Sequence, residues 1–146
     1  METYEEYEIF DAHAHIFPDK IAGLATENIG NFYDLKMRNI GNSKNLIESG
    51  KKINVSGYLV FSTATNPAQV HNINSFIAKE CEQHKEFIGL GTLHQQSDDM
   101  EHDFNQILEL NLKGIKLHPD FQKFDIDSKE AYKMYEIAEG RLPMLI

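Results

Sequence analysis

With 146 residues, 41% of them hydrophobic and 25% charged, the chain has the size and composition of one ordinary folded domain, neither disordered nor membrane-like in make-up. Its 23 acidic against 14 basic residues leave a net charge of -9, which argues against nucleic acid or an anionic membrane as partner and for a small molecule. Cys81 is the only cysteine, so there is no disulfide framework, and the acidic stretch Met1 to Glu8 stands where a secretory leader would be basic and then apolar. No apolar run approaches the ~18 residues of a membrane span, and together these features predict a cytoplasmic protein.

The first element is a strand within Tyr7 to Pro18, stopped by that proline. A strand repeats every two residues, so His13 and His15 share one face with Asp11 beneath them, while Ala12, Ala14 and Ile16 take the other. Two neutral imidazoles held in this way are natural ligands for one divalent metal ion. A helix follows from Asp19, read as its cap, to about Gly30, read as its stop. Residues 31–42 have no clear period and are expected to form a long loop over the strand ends.

Ser43 opens a short helix to about Lys52, with Leu46 and Ile47 as its apolar pair, and Val55 to Thr63 is β-branched and aromatic enough for a buried strand. Pro67 sits in the first turn of a longer helix to about His84, with Val70, Ile73, Phe76, Ile77 and Cys81 as its stripe. Phe87 to Leu93 reads as a third strand whose two glycines imply close approach of another group. Ser97 or Asp98 caps the next helix, on which Phe104, Ile107, Leu108 and Leu112 recur at helical spacing. Gly114 to His118 is a fourth strand ended by Pro119, Ser128 caps a helix to about Glu139, and Leu142 to Ile146 begins a fifth strand.

Strands that alternate with helices imply βαβ units, a parallel sheet and the α/β class. In the fourth strand Ile115 and Leu117 suit a helix-covered face while Lys116 and His118 turn the other way. An open doubly wound sheet needs both faces apolar, so one polar face near the strand ends favours the lumen of a barrel. Four histidines, His13, His15, His94 and His118, fall at the C-terminal ends of predicted strands; His71, His84 and His102 fall on helices and read as surface residues.

Asp11-Ala12-His13-Ala14-His15 resembles the first-strand motif of the amidohydrolase superfamily, metal-dependent hydrolases and decarboxylases built on a (β/α)8 barrel. TatD-type nucleases and phosphoesterases of the polymerase-and-histidinol-phosphatase type open in a similar way. Phe17-Pro18-Asp19-Lys20, Asn66-Pro67 with Asn74, Phe87 to Thr92, and above all Gly114-Ile115-Lys116-Leu117-His118-Pro119 resemble the amidohydrolase-2 branch, which includes aminocarboxymuconate-semialdehyde decarboxylase-like enzymes.

This resemblance implies a TIM-type barrel of about 250 residues, of which residues 1–146 form the N-terminal half: about four βα units and the start of the fifth strand. It implies that His13 and His15 hold a divalent ion, zinc, with Asp11 bracing them from behind. Lys116 is then a contact to a substrate anion or a carboxylated bridging ligand, and His118 orients substrate or braces a loop. His94 has the weakest case. The catalytic acid or base is expected beyond Ile146. The implied function is hydrolysis or decarboxylation of a small molecule by a metal-activated water. Two other readings stand beside it, a catalytically inactive half-barrel serving as an interaction module and a TatD-like or histidinol-phosphatase-like phosphoesterase. The exposed strand edges of half a barrel further predict a homo-oligomer or association with a C-terminal half.

Overall fold

Alternation at the start of the chain forms strand β1 (Ile9–His15), and the computed structural model describes residues 7–146. The chain makes two compact units, one ending at Val60 and the other running Phe61–Ile146. Among the described residues no helix is long and apolar enough to cross a membrane.

In the first unit, Ala14 and Ile16 are buried as their strand positions require, whereas Ala12 is exposed. Helix α1 (Asp19–Tyr33) begins on Pro18, whose carbonyl accepts from the amides of Ile21 and Ala22. Asp19 is therefore not the cap. It is the first helical residue, where a carboxylate suits the positive end of the helix dipole, and it accepts from the Asn42 side chain at 2.9 Å.

Gly30 does not stop this helix either; the end comes at Asp34, in the left-handed conformation at φ 52°. Gly30 answers a different need, because the chain folds back over it and a Cβ there would lie 2.8 Å from the Leu35 carbonyl oxygen. The loop expected over residues 31–42 thus shrinks to the part after α1, and its end is tied down where Asn42 caps α2 (Ser43–Gly50) by accepting the Asn45 amide. Leu46 and Ile47 are half-buried on that helix. Strand β2 (Val55–Phe61) lies beside β1, and the Ser56 hydroxyl donates to the Ile9 carbonyl at 3.1 Å.

Gly50 is buried beneath Tyr58, and a Cβ there would sit 1.8 Å from the phenolic oxygen. A rigid ring that is only 2% exposed has nowhere to swing, so Gly50→Ala should destabilise the protein by ~1–3 kcal/mol through overpacking. Urea unfolding measures this, and an unchanged midpoint would show that Tyr58 relocates freely.

The second unit follows with α3 (Val70–Gln83), preceded by a short 3-10 turn at Pro67–Gln69. Then come β3 (Phe87–Gly89), α4 (Met100–Glu109), β4 (Ile115–Lys116), α5 (Pro119–Gln122), α6 (Lys129–Ala138) and β5 (Met144–Leu145). Strands β4 and β5 pair in parallel, Ile115 with Met144, and a parallel bridge joins Gly91 to Ile115. The fold is mixed α/β with parallel pairing. Among the described residues the ladders do not close into a barrel.

The third and fourth strands are shorter than their sequence patterns predict, for an identifiable reason. Beyond Gly91 the backbone of Thr92 is satisfied by a side chain: the Asn74 amide accepts from the Thr92 N–H at 2.8 Å and donates to its carbonyl at 3.2 Å. Up to Gly91 the parallel pattern holds: Lys113 donates to the Gly89 carbonyl, Gly91 donates to Gly114 and accepts from Lys116, and Leu117 donates to the Leu145 carbonyl. The close approach read from the glycines is present. A Cβ at Gly89 would meet Cys81 Sγ at 2.7 Å, and one at Gly91 would meet Ile107 at 2.8 Å.

The core here includes Phe61, Val70, Ile77, Leu93, Phe104, Ile107 and Met134, all sealed from solvent. Burial pushes the Cys81 thiol up to about 11, with Glu80 adding to the effect, so it stays protonated at neutral pH. Helix α4 is capped by Asp99, one residue beyond the expected position, through the His102 amide at 3.0 Å. Helix α6 is capped by Ser128 as expected.

Candidate functional site

Two imidazoles sit side by side at the end of β1. The ring centroids of His13 and His15 lie 5.3 Å apart with their planes tilted by 46°. Rings that share a tetrahedral ion through nitrogens ~2.05 Å from it have centroids ~5 Å apart, so the pair is spaced for one ion. His13 is exposed and His15 half-buried, with Phe17 stacked on His15 at 6.4 Å. Asp11 turns its carboxylate to the backbone of the same strand and accepts from the His13 amide at 3.0 Å, which steadies the backbone that carries the first imidazole.

The loop after α1 closes on this strand end. Gly41 accepts from the Phe17 amide at 2.9 Å and donates to the Thr26 hydroxyl at 2.9 Å, and it passes so close that a Cβ would lie 3.5 Å from the His15 carbonyl oxygen. The chemistry of this donor set suits a first-row divalent ion. Among the described residues no group of three or more His, Cys, Asp or Glu side chains is assembled to hold a metal. The pair offers two imidazoles, where zinc usually takes three or four protein ligands.

In the second unit the predicted residues take different tasks. Lys116 is 3% exposed, its Nζ donates to the Leu117 carbonyl at 3.1 Å, and it lies 5.4 Å from the centre of the Phe61 ring. Burial pushes its pKa down from the ordinary lysine value. His118 caps α5: its Nδ1 accepts from the Phe121 amide at 3.4 Å and its ring stacks on Phe121 at 4.0 Å.

His94 is more enclosed than its weak sequence case foretold. At 2% exposure, its Nδ1 accepts from the Gln96 amide at 3.2 Å, while among the described residues the buried Nε2 has no hydrogen-bond partner. Burial pushes its pKa below the usual histidine value, and the Thr65 backbone offsets this only in part. A depressed pKa means that the unfolded chain binds the proton more tightly. The contribution of His94 is then fully present above the unfolded value near ~6.5 and is lost as pH falls through the lower folded value. Urea unfolding should show stability dropping between about pH 6.5 and more acid conditions, and a His94→Phe variant should show a shallower drop. Equal pH slopes in the two proteins would remove His94 from the account.

Gln122 is a residue that sequence reading missed. Its amide donates to the Leu93 carbonyl at 2.7 Å and accepts from the His118 amide at 2.9 Å, so one buried side chain joins the segment after β3 to the start of α5. No periodicity or motif marks it. Asn74 appeared in the sequence only as part of a resemblance, and its role in completing the backbone at Thr92 was not legible there.

No family model matches the sequence, and no curated protein matches it. Among solved structures the chain is similar to a probable 2-pyrone-4,6-dicarboxylic acid hydrolase from Acinetobacter baumannii, which was crystallised with citric acid bound. The likeness has a TM-score of 0.55 at 12% identity and covers 91% of this chain. The two chains share a fold. This chain spans 46% of the length of that hydrolase, and at such identity the likeness concerns fold alone.

Proposed function

We propose that this chain is the metal-ligand-bearing N-terminal half-barrel of an amidohydrolase-type enzyme that hydrolyses a small-molecule substrate. The observation that carries the reading is the side-by-side pair His13 and His15 at the end of β1, 5.3 Å between ring centroids. It is supported by the fold shared with a probable dicarboxylic acid hydrolase and by the Asp11 to His15 motif. In this reading His13 and His15 hold one divalent ion, zinc, with further ligands from another part of the enzyme. When bound, such an ion supplies Lewis acidity and a water whose pKa falls to ~7.

The chain's own residues do the rest. Phe17 holds the His15 ring by stacking, Asp11 fixes the His13 backbone, and Gly41 brings the loop against the strand end. His118 positions α5, and Lys116 is the nearest candidate in its unit for a substrate anion once a ligand draws its amine away from the Leu117 carbonyl. Catalytic acid–base groups lie outside this set. The many exposed apolar side chains, Phe10, Leu24, Phe32 and Leu35 among them, support association with a second copy or a C-terminal half.

The test is hydrolysis of 2-pyrone-4,6-dicarboxylate and related cyclic esters of small acids. Water adds across the ester and one new carboxylate appears per turnover, so acid release can be followed by titration. Activity should vanish with chelator and return with zinc. Turnover indifferent to chelator would overturn the reading. Carbon dioxide release without ester cleavage would move the enzyme to the decarboxylase branch, which the Gly114 to Pro119 resemblance favours as the second reading.

A further inference from the structure

A second histidine pair lies in the other unit, on two helices. His71, on the first turn of α3, and His102, on the first turn of α4, place their rings 4.9 Å apart, tilted by 32°. His71 Nε2 lies 2.8 Å from Asp103 Oδ1, and the Ser97 hydroxyl donates to Asp103 Oδ2 at 2.5 Å. Asp103 is 6% exposed and behind the rings, while the His71 side chain is 43% exposed.

A carboxylate can only accept, so in the neutral ring the Nε2 that faces Asp103 carries the proton and Nδ1 keeps its lone pair. Among the described residues the His102 ring makes no hydrogen bond, while its backbone amide donates to Asp99. A carboxylate fixing one imidazole from behind, with the opposite nitrogen open, is the arrangement found around histidine ligands to metals. Ring centroids sharing one ion at ~2.05 Å fall ~4.5 Å apart at a right angle and ~5.2 Å apart at the tetrahedral angle. The observed 4.9 Å lies between the two.

We propose that His71 Nδ1 and His102 bind a divalent transition-metal ion, zinc or one of similar ligand preference, on the surface where α3 meets α4. Asp103 is the positioning residue that orients His71, and water fills the remaining positions. The ion would join the first turns of two helices that already meet through the contact of His71 with Asp103 and through the Gln106 side chain, which donates to the His71 carbonyl and to Ser75 and accepts from Asn74.

Zinc chloride titrated calorimetrically into the His13→Ala/His15→Ala protein isolates this pair from the one on β1. One ion per chain is expected, weakened at least ~10-fold by adding His102→Ala and ~10–100-fold by adding Asp103→Asn. Long-range 15N–1H spectra should show zinc shifting the Nδ1 resonance of His71 while Nε2 keeps its proton. Should Asp103→Asn unfold the chain by circular dichroism, exposed His102 still carries the test. Zinc uptake that survives His102→Ala unchanged, no uptake at all, or a shift at Nε2 in place of Nδ1 would each overturn the proposal.

Discussion

Replacing His13 and His15 together by alanine should abolish zinc binding at the β1 pair and lower turnover of the proposed hydrolase by at least ~10³-fold, since water without the ion is far less acidic and yields little hydroxide at neutral pH. The two rings are adjacent and equivalent in spacing, so either single substitution should already cost most of the effect. Fold should survive, because His13 is exposed and the strand's buried positions are Ala14 and Ile16. The measurement is zinc content by elemental analysis beside the hydrolysis rate, in a His71→Ala/His102→Ala background so that only one pair is counted. Asp11→Asn in the same background should be mild, because the amide oxygen still accepts from the His13 N–H. Zinc content and rate unchanged by the double substitution would end the metal reading of β1.

Phe104→Ala should cost ~3–5 kcal/mol, the largest stability loss expected of a single substitution here. The ring is sealed from solvent on α4, in the core that includes Ile107, and the Arg141 guanidinium covers it at 4.2 Å from its centroid. Deleting it leaves a cavity and also strips Arg141 of its aromatic face, leaving that side chain only its long contact to Glu101 at 3.4 Å and the Ile137 carbonyl. Helices α4 and α6 would lose part of their joint packing. Guanidinium unfolding checks this through the midpoint at unchanged slope. A loss below ~1 kcal/mol would mean that the site collapses around the missing ring.

Several local features were legible in the sequence, although the caps of α1 and α4 were misplaced by a residue or two. The two-residue period of β1 alone set His13 beside His15, and the stripe from Val70 to Cys81 and the Ser128 cap placed α3 and α6. Those features depend on backbone geometry within one element, which the chain writes out in order. The alternation of strands and helices likewise implied parallel pairing, observed between β4 and β5.

What only the tertiary structure decided involves partners distant in the chain. The ladder does not continue through Thr92, because Asn74, from another element, takes over the backbone of that residue. Gly30 sits within a helix because Leu35 folds back on it, whereas its letter alone read as a stop. His94 and Lys116 look alike in sequence to any histidine or lysine at a strand end, and their pKa values fall because the core closes over them. His71 and His102 read as surface residues on two helices; their approach, and the buried carboxylate of Asp103 that orients one of them, exist only once α3 packs on α4. Burial and cross-element hydrogen bonds are sums over neighbours that no single stretch contains, which is why they had to be seen folded.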